Sequence, residues 1–255
     1  MIELNNIYNM DCLEGMKQIP DATVDAIICD LPFGTTKNPW DSVIPLDALW
    51  EQYKRIVKQR GAIVLFSQQP FSAALIMSNP KMFKYEWIWE KDNGTGQLNS
   101  KFAPMKKHEN ILVFSKSAAC FVKNADDAMF YYPQKEAGKP YTQKSGRPSN
   151  NYDAANCHSV VTENKGERYP TDILKFNRDK DKIHPTQKPV ELIRYLIRTY
   201  SNPGDVILDN CMGSGTTAIA ALRERRSYIG FELNREYFDK AQQRIREELQ
   251  QPTLF

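Results

Sequence analysis

Ala62-Ile63-Val64-Leu65-Phe66 is an unbroken apolar run. A strand of this kind offers no polar face to water, so it must be covered on both sides. Val24-Asp25-Ala26-Ile27-Ile28-Cys29 and Val206-Ile207-Leu208 read in the same way. Helical patterns stand between such runs. Leu46, Leu49, Trp50, Tyr53, Ile56 and Val57 have the spacing of an amphipathic helix over residues 46–58, with Gly61 ending it. Val190, Leu192, Ile193, Leu196 and Ile197 form another apolar helical face. This alternation predicts an α/β fold, a doubly wound and mostly parallel sheet with helices on both faces.

A chain of 255 residues can bury a large core and still carry an inserted subdomain. Its 41% apolar and 25% charged content is that of a soluble globular protein. The start, Met1-Ile2-Glu3-Leu4-Asn5, lacks a signal-peptide pattern, and no apolar stretch reaches membrane-spanning length. Cys12, Cys29, Cys120, Cys157 and Cys211 are odd in number and widely spaced, which predicts a reduced, cytoplasmic protein without a zinc site. The charge is uneven: residues 101–188 hold 16 Lys/Arg against 10 Asp/Glu, whereas the remainder holds 18 against 21. A basic middle suits a polyanion-binding face or a solvated loop region.

Phe83 to Trp89 alternates as a strand, Asp92 to Gly96 reads as a loop, and Ile111 to Phe114 as one more short strand. From Asn124 to Lys182 the chain is polar and aperiodic. We read residues 124–182 as an inserted region between two halves of one domain, residues 1–123 and 183–255. Lys135, Lys139, Lys144, Arg147, Lys165 and Arg168 lie there, with Tyr131, Tyr132, Tyr141, Tyr152 and Tyr169 among them. Such side chains serve nucleic-acid surfaces, although the composition also fits a linker.

Two strand ends carry the candidate chemistry. The first ends in Asp30-Leu31-Pro32-Phe33. Ligands of open α/β sheets bind beyond the carboxyl ends of strands. Pro32 keeps Leu31 extended, so its carbonyl stands beside the Asp30 carboxylate and before an aromatic ring. Two acceptors and a stacking plane suit a flat ring bearing an amino group. The second strand ends in Asp209-Asn210-Cys211-Met212-Gly213-Ser214-Gly215-Thr216, a Gly-x-Gly turn opening a helix. Glu232 ends the next strand and can accept both hydroxyls of a ribose. Asp209 at the strand tip would repel pyrophosphate but suits an ammonium. This favours S-adenosyl-L-methionine over a nicotinamide cofactor, and a nicotinamide oxidoreductase stays the rival from another enzyme class.

Asp30-Leu31-Pro32-Phe33 resembles the Asp-Pro-Pro-Tyr element of amino-group DNA methyltransferases, and residues 209–216 resemble their cofactor loop, Asp-Pro-Phe-x-Gly-x-Gly-Thr. His184-Pro185-Thr186-Gln187-Lys188-Pro189 resembles the segment preceding that loop. The order of the three motifs is that of the circularly permuted β class. The resemblance implies that Asp30 and the Leu31 carbonyl accept the target amino group and that Phe33 stacks on the extruded base, with Pro32 as the restraint. It implies further that Gly213 and Gly215 line the methionine part, that Glu232 holds the ribose, and that Asp11 and Cys12 lie near the adenine. Thr186 and Lys188 would touch the carboxylate end, beside Asp209 and Thr216 of the loop. Leu31 stands where the family has proline, and Asn210-Cys211 where it has Pro-Phe.

The expected activity is methylation of adenine N6 in double-stranded DNA, with base flipping. Cytosine-N4 methylation is the nearest alternative, usually with Ser in place of Asp30; a non-catalytic DNA-binding module is more remote. A homodimer and a separate restriction endonuclease partner are compatible with the resemblance, as is a solitary bacterial or phage enzyme. His108-Glu109-Asn110 reads as structural, with His108 at a helix end or in the core. Because the family uses the carbonyl at position 31, Leu31→Pro should leave activity largely intact. Phe33→Ala should weaken methyl transfer to DNA, as read by transfer of labelled methyl groups.

Overall fold

The computed structural model describes residues 2–35, 41–120, 124–145, 160–181, 183–184 and 186–250. Arg147, Tyr152, Cys157 and Pro185, each named above, lie outside the described residues. The chain divides into two compact units, Met1–Tyr132 with Asp172–Phe255, and Pro133–Thr171.

The larger unit is built on one sheet. Its first half runs β1 (Asn6–Tyr8), α1 (Cys12–Lys17), β2 (Val24–Asp30), α2 (Leu46–Ile56), β3 (Val57–Ser67), α3 (Phe71–Ser78), β4 (Phe83–Thr95) and β5 (Lys106–Ser115). The smaller unit holds two antiparallel ladders, β6 (Glu136–Ala137) with β9 (Glu167–Arg168) and β7 (Tyr141–Ser145) with β8 (Val160–Asn164). The larger unit then resumes with β10 (Ile173–Lys175), α4 (Val190–Tyr200), β11 (Val206–Asp209), α5 (Thr216–Arg223), β12 (Ser227–Phe231) and α6 (Arg235–Gln250).

The strand order is β1-β12-β11-β2-β3-β5-β4-β10. All neighbours are parallel except β5, which is antiparallel to both β3 and β4. Burial follows the pleat. Ala26 and Ile28 of β2 enter one apolar cluster with Leu192, Ile193 and Leu196 of α4 and Ile219 of α5. Ile27 and Cys29 enter the other, with Met16 of α1, Leu49 and Tyr53 of α2 and Leu75 of α3. The sheet is thus covered on both faces, as its unbroken apolar strands require.

Three boundaries differ from the sequence reading. The second helix stops at Ile56, and β3 begins at Val57 rather than after Gly61. Gly61 sits within that strand because a Cβ there would lie 2.5 Å from the Asp25 carbonyl. Residues 92–95, expected as loop, extend β4, and β5 begins at Lys106 rather than Ile111. These stretches are polar and pair with each other, Glu90 with His108 and Thr95 with Lys106, so ladder hydrogen bonds sustain them without apolar burial. His108 is therefore an exposed strand residue, neither at a helix end nor in the core. Finally, Ile173–Lys175 adds a parallel edge strand to β4, and buried Leu174 anchors it.

In the smaller unit, Lys135 pairs with Glu167 at 2.6 Å, and the Arg168 guanidinium lies 4.6 Å from the Tyr141 ring centre. Lys139, Lys144 and Lys165 are exposed. Tyr131 and Tyr132 belong to the larger unit; the Tyr132 hydroxyl accepts from Asn202 Nδ2 at 2.6 Å.

Strand β11 reaches β2 through side-chain help. The buried Asp25 accepts the Val206 N–H at 2.9 Å and the Lys58 ammonium at 2.6 Å. Asp25→Ala leaves that N–H without its acceptor, a loss of about 1–3 kcal/mol. Urea denaturation should show a lowered midpoint for Asp25→Ala and a smaller change for Asp25→Asn, which keeps an oxygen for Val206.

Candidate active site

The order of the sheet reverses between β11 and β2, whose chains run outward to opposite sides: β11 to β12 through α5, β2 to β3 through α2. At such a switch point the strand ends open a crevice. A cavity of about 740 Å³ occupies it, within the usual range of small-molecule sites. Asp30, Leu31, Pro32 and Phe33 line it, as do Asp11, Cys12, Thr186, Lys188, Asp209, Gly213, Thr216 and Glu232. Of the catalytic and cofactor-binding candidates named from the sequence, Gly215 alone is outside the lining. It adopts φ +76° and a Cβ there would lie 3.2 Å from the Ala241 Cβ, so it permits the close approach of α6.

Asp30 ends a chain of alternating charges that runs through Lys188 and Glu109 to Lys91. Its Oδ2 is 2.5 Å from Lys188 Nζ. Lys188 Nζ is also 3.2 Å from Glu109 Oε2, and Glu109 Oε1 is 3.2 Å from Lys91 Nζ. Asp30 Oδ1 is buried and has no hydrogen-bond partner among the described residues. Burial pushes the Asp30 carboxyl up to about 6, against the opposing pull of Lys188. Burial would lower the Lys188 ammonium, but Asp30 and Glu109 outweigh it and keep the charge. Burial would raise Glu109, but Lys188 and Lys91 hold it below its ordinary value. Lys188, expected at the carboxylate end of the cofactor, lines the cavity and pairs there with Asp30 and Glu109.

The residues that follow Asp30 are held firmly. The Phe33 ring packs at 5.4 Å on Phe71. The N–H groups of Gly34 and Thr35 each donate to Asp41 at 2.9 Å, tying down the chain beyond the motif. Leu31 is 3% exposed and belongs to the apolar cluster around Tyr53 and Leu65. The tolerance expected for Leu31→Pro therefore omits a cost, the loss of a buried side chain.

The glycine loop is organised by two carboxylates. Asp209 accepts the Cys211 N–H at 3.0 Å and the Thr217 hydroxyl at 2.6 Å. Burial raises its carboxyl to about 6. Glu232 accepts the N–H groups of Gly213 and Asn234, each at 2.8 Å. Gly213 has φ +52°, a region that glycine enters without strain. Each Glu232 oxygen keeps further lone-pair capacity for a ligand. Asp11 caps α1 by accepting from Leu13 and Glu14 at 2.8 and 3.1 Å. Asn210 turns inward and accepts the Tyr53 hydroxyl at 2.5 Å. Cys211 packs on the apolar cluster that holds Cys12 and Cys29, so three cysteines distant in sequence meet behind the loop, and the neighbouring thiols with burial raise the Cys211 thiol well above its ordinary value. His184 Nδ1 faces the Thr186 hydroxyl at 3.0 Å. Burial lowers the His184 ring to about 4, so it is neutral at physiological pH.

A family model described as DNA methylase, for N6 and N4 enzymes, matches residues 24–243. The chain belongs to this family. The Type II methyltransferase M1.MboII of Moraxella bovis is 31% identical over 94% of this methylase and 96% of the relative. The DNA adenine methyltransferase YhdJ of Escherichia coli K12 is 28% identical over 95% of the chain and 83% of the relative. Among solved structures, the M1.HpyAVI–SAM complex superimposes with a TM-score of 0.59 at 24% identity, covering 94% of this chain and 98% of that one. The cytosine-N4-specific PvuII DNA methyltransferase superimposes with a TM-score of 0.67 at 15% identity, covering 97% and 92%. These likenesses establish the doubly wound methyltransferase fold for this DNA methylase.

Sequence reasoning missed Glu109 and Lys91 of the methylase. Glu109 lies in a run whose place follows only from its order in the chain, which reads as structural; the β4–β5 pairing carries it to Lys188. Its separation from Asp30 in the chain leaves no local signal. Methyl transfer by the methylase should fall as pH drops through about 6, where Asp30 protonates. The rate should lose about tenfold per pH unit below that point. Lys188→Met removes the cation that favours the Asp30 carboxylate, so in a pH–rate profile its acid limb should move to higher pH.

Proposed function

We propose that this methylase transfers a methyl group from S-adenosyl-L-methionine to the N6 amino group of an adenine flipped out of double-stranded DNA. The observation that carries this reading is Asp30 on the cavity wall, its buried Oδ1 without a hydrogen-bond partner among the described residues, with Leu31 and Phe33 lining the same cavity. An acid there can accept an amino N–H strongly, and the similarity to the DNA adenine methyltransferase YhdJ supports adenine in DNA as the target. The carboxylates Asp11, Asp209 and Glu232 around the loop suit a cationic, ribose-bearing cofactor better than a pyrophosphate. That cofactor supplies, when bound, an electrophilic methyl group on a sulfonium.

The exocyclic amine is a weak nucleophile because its lone pair is delocalised into the ring. Acceptance of its two N–H bonds by Asp30 and the Leu31 carbonyl favours a tetrahedral nitrogen with a directed lone pair. The same carboxylate stabilises the positive charge that develops on nitrogen. With its acid raised to about 6, Asp30 is also suited to receive the proton that the methylated amine must lose. Phe33, backed by Phe71, offers the stacking plane that offsets part of the cost of flipping. Lys188 fixes the orientation of Asp30 through Oδ2 and leaves Oδ1 for the substrate.

Incubation with unmethylated genomic DNA and the cofactor, then mass spectrometry of the hydrolysed nucleosides, tests this. N6-methyldeoxyadenosine is the expected product. N4-methyldeoxycytidine would transfer the same chemistry to cytosine, and no methylated nucleoside would overturn the reading. Asp30→Ala should lower the rate by about 100-fold or more while calorimetry shows cofactor binding nearly unchanged.

A further inference from the structure

Strands β4 and β5 form one wall of the cavity and then continue past it. Trp89, Lys91 and Thr95 of β4 line the cavity, and residues 96–105 cross over at its rim. This tip is an ordered knob. Gly96 takes φ +94°, Gln97–Asn99 make one 3-10 turn, and the Asn99 carbonyl accepts the Phe102 and Ala103 N–H groups at 2.9 Å each.

Two side chains on the knob stand in water. Leu98 is 97% exposed and Phe102 is 89% exposed, the highest values among the large apolar residues described. Met105, beside them, is 41% exposed. Single exposed leucines are ordinary, but two large apolar groups together at the rim of a reaction cavity are not. The segment itself carries charge of one sign, although Lys107 pairs with Glu90 of β4 at 2.9 Å. Residues 96–107 include Lys101, Lys106 and Lys107 and no acidic residue.

We propose that this knob is a wedge: Leu98 and Phe102 enter the base stack of duplex DNA at the space that the extruded target base leaves. The inference rests on the base-flipping reading above. Apolar side chains inserted between base steps are a general means of holding a distorted duplex, and the lysines meet the flanking phosphates. A second copy of this chain is the less suitable occupant, because the lysine-rich rims of two identical knobs repel. The knob therefore occupies the gap while Phe33 receives the base, and the two aromatic contacts act on opposite sides of the same extrusion.

The test uses the full chain and the Leu98→Ala, Phe102→Ala double variant. Sequencing of genomic DNA methylated by the wild type first supplies the recognition site for synthetic duplexes. One duplex is fully paired; in the other the target base faces an abasic position, which removes most of the pairing to be broken. On the paired duplex the variant should be slowed about tenfold or more, with a weaker fluorescence rise from 2-aminopurine placed at the target. On the abasic duplex it should recover to within about threefold of the wild type, and cofactor binding should be unchanged. Equal slowing on both duplexes, or none on the paired one, overturns the wedge. A wild-type dimer that becomes monomeric in the variant, with unchanged methylation, makes the knob a subunit contact and also overturns it. If the wild type methylates no DNA, the base-flipping reading falls first and the wedge with it.

Discussion

The parallel pairing of β2 with β11 is the contact on which the rest of this methylase depends. Ile207 faces Ala26 and Leu208 faces Ile27, which sets Asp30 and the Asp209 loop side by side at the same edge of the sheet. Neither motif makes a site alone. Asp30 has acceptors but no ligand loop, and the glycine loop has a cradle but no acceptor for an amine. The buried Asp25 reinforces the junction by joining Val206 of β11 to Lys58 of β3.

Once the two strand ends meet, the electrostatics of the cavity follow. A carboxylate withdrawn from water tends to protonate, and Asp30 is pushed in that direction. Lys188 opposes the trend, and Glu109 and Lys91 extend the alternation of charge into the wall formed by β4 and β5. A buried ion pair of this kind contributes little net stability, because desolvation offsets much of the attraction. Its value lies in geometry. One oxygen of Asp30 is held by Lys188, and the other has no hydrogen-bond partner among the described residues. Glu232 and Asp209 follow the same pattern on the cofactor side, each holding backbone groups of the loop while forming part of the cavity lining.

The sheet, its helices and the two motifs were legible because each is local. Apolar runs of five or six residues, helical spacing and a Gly-x-Gly turn all carry their signal within a short window. What escaped the sequence arises from pairing across the chain. The polar ends of β4 and β5 have no apolar pattern, so only the ladder between them reveals that they are strands. Glu109 reaches Lys188 through that ladder, and the pairing of Lys188 with Asp30, 158 positions away, leaves no trace in the sequence. Leu31 illustrates a different limit: the motif explains its carbonyl, but only the packing around Tyr53 and Leu65 reveals the side chain. Cys12, Cys29 and Cys211 likewise look unrelated in sequence and converge because α1, β2 and the loop share one end of the sheet.

The permuted strand order also sets the timetable by which the molecule can assemble. β1 has β12 as its neighbour in the sheet, and their junction joins Asn5 to Tyr228, 223 positions apart. β2 has its second parallel neighbour only in β11, and the bond from Val206 to Asp25 spans 181 positions. During synthesis the catalytic strand leaves the ribosome long before the strand that completes its side of the sheet. The β2–β3–β5–β4 block can form early, with one apolar edge waiting for β11. Closure of such distant pairs makes folding slow relative to a chain of local contacts. A nascent chain in that state has an open β2 edge, where a helper protein or a stray strand can pair before β11 arrives.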